Sequence, residues 1–179
     1  LQPSDLKKKL NTGEIYRNFK FEKKEDLNIN SDNNCYLFIV GMPRCGSTLL
    51  ESILSLNSGV TDLGEVFFLE ESLKETEDLN KINNTYSKKV LGINSFNNIF
   101  TDKNLFNFLY CPIIYRYFPN SKIIHCTRNP LDNVLSIYRT NFINQSFSSS
   151  LKDIAKLYSS HMELMDEDKT QYGSIIYSY

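Results

Sequence analysis

Residues Tyr36 to Gly41 read Tyr-Leu-Phe-Ile-Val-Gly and run straight into Met42-Pro43-Arg44-Cys45-Gly46-Ser47-Thr48, followed by Leu49, Leu50, Ile53, Leu54 and Leu56. No other stretch limits the fold as tightly. A short unbroken apolar run is the pattern of a strand buried on both faces of a parallel sheet. The spacing after Thr48 is that of a helix with one apolar face. Two glycines bound the loop between them. The unit is strand, glycine-bounded loop, helix, and it predicts an α/β protein whose central parallel sheet is flanked by helices in three layers.

The rest of the chain repeats that alternation. Lys122-Ile-Ile-His-Cys-Thr127 reads as a second buried strand, followed by Arg128-Asn129-Pro130 and a helix from Leu131 to about Asn144, with Pro130 suited to the first helical position. Between the two units, Leu63-Gly64-Glu65 is a turn and Ser72 to Asn80 a charged helix. Asn83 to Asn98 reads mainly as loop with a short helix around Tyr86 to Leu91, and Asn104 to Phe118 as one mostly buried helix. Leu151 to Met165 is a further amphipathic helix and Gly173 to Tyr179 a last strand. Residues 1–34 are polar and Lys-rich and read as a short amphipathic helix and linker, leaving 35–179 as the domain.

Composition narrows the function classes. Lys plus Arg is 20 against Asp plus Glu 21, a formal net charge of -1, so no overall basic excess points to a nucleic-acid partner and any anion site is local. Cys35, Cys45, Cys111 and Cys126 form no CxxC pair, and with only His125 and His161 no metal-ligand spacing is present; no metal is expected. No apolar run approaches the roughly 20 residues of a membrane span. A cytoplasmic location is expected, and because the chain starts with Leu, it reads as a piece of a longer protein.

The loop has the GxxxxG frame and closing hydroxyl of a phosphate-binding loop, with Ser47 where a nucleotide-hydrolysing loop carries lysine. Such a loop turns consecutive backbone N–H groups inward, and the following helix adds its positive end. Arg44 restores a cation able to bind an oxyanion bidentately. Arg128 falls at the end of the second strand, and Ser136 lies two helical turns further on, which makes a second anion site. A ligand with phosphates at both ends fits this pair of sites, and ligands of such sheets bind outside the strands' carboxyl ends.

These residues resemble the sulfotransferases that use 3′-phosphoadenosine 5′-phosphosulfate (PAPS), particularly the tyrosylprotein and tetratricopeptide-linked branches. Gly41 to Leu50 is similar to that family's GxPRSGTTL motif, and Arg128-Asn-Pro130-Leu-Asp132-Asn-Val-Leu-Ser136 fits RxPxDxxxS position for position. Asp102-Lys103 with Asn107-Phe108 resembles its DKxPxNF segment without the proline, and Gly64-Glu65 its GE element. The resemblance implies transfer of a sulfuryl group from PAPS to an acceptor hydroxyl or amine. By it, Arg44, Cys45, Gly46, Ser47 and Thr48 hold the 5′-phosphosulfate, and Arg128 and Ser136 the 3′-phosphate. Glu65 would be the general base, Lys103 and Arg44 the catalytic cations, and Asn107 would orient donor or acceptor. It further implies upstream helical repeats and a last third of the domain beyond Tyr179. The alternatives are a kinase-like ATP-binding protein and a degenerate module that binds nucleotide or a partner without turnover.

Overall fold

The computed structural model describes residues 33–140, 142 and 146–179. The helix read within residues 1–34 lies outside them, as do residues 141, 143 and 144 of the helix expected from Leu131 to about Asn144, whose described part ends at Thr140. The strands are β1 (Cys35–Gly41), β2 (Val60–Asp62), β3 (Ile99–Asp102), β4 (Lys122–Cys126) and β5 (Ile176–Ser178). They form one sheet in the order β2-β3-β1-β4-β5, and every neighbouring pair is parallel. The helices are α1 (Ser47–Leu54), α2 (Phe68–Glu75), α3 (Ile82–Leu91), α4 (Cys111–Tyr117), α5 (Pro130–Thr140) and α6 (Leu151–Tyr172). The expected α/β architecture with a central parallel sheet is present.

Strand β1 sits at the centre because its side chains feed both faces. Tyr36, Phe38 and Val40 enter the main core, while Ile39 packs with Leu50 of α1 on the other side. In the main core Tyr86 stands edge-on to Tyr36 and to Phe118, with ring centroids 5.0 and 5.4 Å apart, the geometry in which a ring's positive edge meets a negative face. Residue for residue, Gly41 pairs with Cys126 of β4. The sheet therefore delivers the ends of β1 and β4 side by side, the place where the strand order departs from the chain order and a ligand crevice opens.

Several local expectations need correction. α2 begins at Phe68, four residues before the expected Ser72, because Leu69 is fully buried and the apolar run is the helix's first turn. The short helix expected around Tyr86 to Leu91 is α3, which starts four residues earlier at Ile82, with the small polar residues Asn83 and Ser87 turned inward and Asn83 Nδ2 donating to Tyr117 O at 3.1 Å. The single helix expected over 104–118 divides into a 3₁₀ segment, Leu105–Tyr110, and α4. Pro112 sits in the first turn of α4, where its missing N–H interrupts nothing. Strands β2 and β3 were not expected, and α6 runs seven residues past Met165.

Candidate functional site

The loop after β1 holds its shape through two glycines and one unusual residue. A Cβ on Gly41 would lie 2.6 Å from the Cys126 carbonyl oxygen and 3.0 Å from Cys45 Sγ, so only glycine lets β1 end against β4 with the cysteine folded over it. Arg44 adopts φ +67, a left-handed conformation that costs a side-chain-bearing residue energy and marks a tightly constrained loop. Gly46, at φ +105, precedes α1 without offering a side-chain cap.

The β4–α5 junction packs against this loop. Asn129 Oδ1 accepts from the Leu131 and Asp132 amides at 3.0 and 3.3 Å, starting α5 just beyond Arg128. Asn133 Nδ2 donates to Pro43 O at 2.9 Å, and Arg128 Nη1 to Arg44 O at 3.2 Å. Arg44 Nε donates to Ser136 Oγ at 3.2 Å. The two anion constellations read from the sequence are thus joined directly, with Arg44 reaching from the first into the second. Both arginines are exposed, and among the described residues neither has a carboxylate within ion-pair distance.

Facing the loop is a carboxylate and lysine cluster. Lys103, at the end of β3, is buried and places Nζ 3.0 Å from Glu65 Oε1 and 3.7 Å from Glu51 Oε2. The backbone brings it there, since Lys103 N donates to Gly64 O at 2.9 Å and Leu63 N to Thr101 O at 3.0 Å. Glu51 is buried on α1 and its other oxygen accepts from Thr101 Oγ1 at 3.0 Å, whereas Glu65 stands mostly in solvent. One cation is held between a buried carboxylate and a solvent-facing one. Sequence reasoning passed over Glu51. Its signal was a carboxylate on the helix directly after the loop, beside the buried Leu50.

Asn107 does not reach the cleft. It is buried and donates to Asp102 Oδ1 at 3.0 Å; the same oxygen accepts from the Asn104 amide, and Oδ2 accepts from Tyr86 OH at 2.9 Å. Burial pushes the Asp102 carboxyl up to about 7, its hydrogen bonds opposing that rise and the Glu51 charge adding to it. In the loop, Cys45 is pulled down to about 7, first by a hydrogen bond from the Cys126 thiol and further by the Ser47 amide and hydroxyl, against the effect of burial. Cys126, as the donor, is pushed up.

A cleft of about 700 Å³ lies over these parts. Loop residues 43–48 form one wall and Arg128 closes one end; Glu65 and Phe67 face them, and Asn104, Leu105, Phe106 and Phe142 complete the lining. Of the predicted residues, Arg44, Cys45, Gly46, Ser47, Thr48, Glu65 and Arg128 all border this one cleft. Ser136 and Lys103 join it through Arg44 and Glu65. Among the described residues no helix is long and apolar enough to cross a membrane.

A parallel sheet with a glycine-bounded loop between its central strand and the following helix defines a phosphate-loop α/β fold. The model of the sulfotransferase family matches residues 37–89 and 76–176, and the chain belongs to that family. An uncharacterized protein of Aquifex aeolicus (strain VF5) is 29% identical over 168 residues, covering 79% of this chain and 22% of the relative, so the chain spans about a fifth of that relative's length. Among solved structures, the YorR protein of Bacillus subtilis in complex with phosphorylated GDP aligns with 80% of this chain and 84% of its own, at a TM-score of 0.49 and 14% identity.

Proposed function

We propose that the cleft binds PAPS and that the domain transfers its sulfuryl group to an acceptor hydroxyl or amine. The observation that carries this reading is the junction of Arg44, Arg128 and Ser136 at the mouth of a loop that lacks the lysine of nucleotide-hydrolysing loops. Two cations without carboxylate partners, a hydroxyl and the amides of α1 fit a donor that carries phosphate at one end and phosphosulfate at the other. The loop and Arg44 would hold the phosphosulfate, and Arg128 with Ser136 the 3′-phosphate. The donor supplies the activated sulfuryl group, and the chain supplies position and charge.

Glu65 is the base of this reading. With an acceptor against Phe67 and Phe106, its carboxylate takes the acceptor proton. Lys103 then loses its 3.0 Å partner but keeps Glu51 as counter-charge, and its ammonium turns to the oxygens on which charge develops.

Calorimetry with adenosine 3′,5′-bisphosphate and ATP, with and without magnesium, tests the assignment. Metal-independent binding that prefers the bisphosphate is expected. A preference for ATP that needs magnesium would replace this reading with a kinase-like one.

A further inference from the structure

Two of the four cysteines meet at the one place where the phosphate loop touches the neighbouring strand. Cys45 belongs to the loop and borders the cleft; Cys126 is the last residue of β4 and is fully buried. They share a small buried cluster with Ile39 and Leu50. The position over Gly41, where any side chain would sit 3.0 Å from the sulfur, is kept clear for Cys45. We propose that Cys45 and Cys126 are a thiol modification site, a dithiol that a peroxide converts to a disulfide and a dithiol reductant restores, and that the disulfide closes the anion loop.

Each partner is placed for a different step. Cys45, 7% exposed and bordering the cleft, is the thiol that a small oxidant there can reach, and its neighbours lower it from the ordinary thiol value, which favours the thiolate. The thiolate attacks one peroxide oxygen; the O–O bond breaks, an S–O bond forms, and hydroxide leaves. Cys126, 1% exposed, is out of reach of solvent but in contact with the new sulfenic acid. Its sulfur attacks, the S–S bond forms, the S–O bond breaks, and the hydroxyl leaves as water with the proton from the Cys126 thiol. The sulfurs give up two electrons and the peroxide is reduced to one water and one hydroxide, which takes a proton from solvent.

Forming an S–S bond of about 2.05 Å draws Cys45 toward β4. That movement acts on a loop with little slack. Cys45 N donates to Met42 O at 3.3 Å, and Arg44 O accepts from Arg128 Nη1 at 3.2 Å. Oxidation shifts the Arg44 carbonyl from Arg128. Losing one or two charge-assisted contacts to an anion weakens its binding about tenfold or more.

The effect on ligand rests on the loop being the anion site proposed above, whereas the disulfide itself does not. The protein is treated with stoichiometric hydrogen peroxide, and non-reducing peptide mapping reads the cross-link. Hydrogen exchange of residues 42–48 and calorimetry with adenosine 3′,5′-bisphosphate are then compared before oxidation, after it, and after dithiothreitol. A Cys45–Cys126 cross-linked peptide, altered exchange in the loop, and bisphosphate binding about tenfold weaker that recovers on reduction are expected. Cys45→Ser and Cys126→Ser should each abolish the cross-link, and Cys126→Ser, whose position lies outside the cleft lining, should bind bisphosphate as the reduced parent does. Absence of the cross-link with both thiols oxidised separately, or a cross-link that leaves exchange and affinity unchanged, would overturn the proposal. If the reduced protein binds no bisphosphate, the donor assignment fails, and mapping with hydrogen exchange still decides the switch.

Discussion

Arg44 Nε donates to Ser136 Oγ at 3.2 Å across 92 residues of sequence, tying the loop after β1 to the helix after β4. Arg44 is exposed and sits at φ +67, so folding gains little from its side chain, and glycine would relieve its backbone. Arg44→Ala is therefore expected to weaken adenosine 3′,5′-bisphosphate binding by roughly 10- to 100-fold, the value of one or two charged hydrogen bonds. Arg44→Gly should do the same without lowering the urea midpoint. Calorimetry and urea unfolding of both variants separate the two effects.

How much of this was legible follows from what each segment buries. β1 and β4 bury apolar side chains on both faces, so their runs stand out, and with them the loop, Arg128 and the start of α5. β3 is as buried, but half of it is Thr101 and Asp102, made tolerable inside by Glu51, Tyr86 and Asn107. Those partners come from other elements, and no periodicity announces them. β2 has three residues, too few for alternation to register. Glu51 was hidden for the reverse reason: only the Lys103 ammonium brought by β3 makes a buried carboxylate acceptable there.

Lys103 divides its charge between two carboxylates of very different exposure, and removing each partner has a different consequence. Lys103→Met leaves Glu51 buried with Thr101 as its hydrogen-bond donor and no cation, which is expected to cost about 3 kcal/mol of stability. Glu65→Gln removes a carboxylate whose side chain is 72% exposed, so stability should stay within about 0.5 kcal/mol. Sulfuryl transfer should nonetheless fall by about 10² or more, because the base is gone. Equal losses of stability in the two variants would show that Glu65 serves the fold and not the acceptor.

Gly41 and Gly46 bound the same loop and are expected to fail differently. Gly41→Ala drives a Cβ to 2.6 Å from a backbone oxygen of β4, which cannot swing away, so the strand ends must part. A loss of about 2 kcal/mol or more is expected, together with displacement of Cys45. Gly46→Ala meets no atom within 4 Å, and its cost is the φ of +105 alone, about 1 kcal/mol, felt mainly as weaker anion binding. Unfolding curves with bisphosphate titrations distinguish steric from conformational damage.

Stability should respond to pH through two buried groups of opposite sign. Asp102 is raised to about 7 in the folded protein, so its contribution is full below its unfolded value near 4 and is lost as pH rises through 7. His125, whose Nε2 lies 2.9 Å from His161 Nε2, is lowered to about 4, first by burial and then by Lys169. Its contribution is full above about 6.5 and is lost as pH falls toward 4. Between about 4 and 6.5 the two oppose each other, and the parent's stability should change little with pH over that window. Asp102→Asn keeps the carbonyl that accepts from the Asn104 amide and Asn107, while Tyr86 OH can turn to accept from the new amide. It removes the Asp102 titration alone, so stability should then rise with pH from 4 to 6.5, with urea midpoints at half-unit intervals as the measurement. A variant whose midpoint still holds level across that window would place the opposing proton on a group other than Asp102.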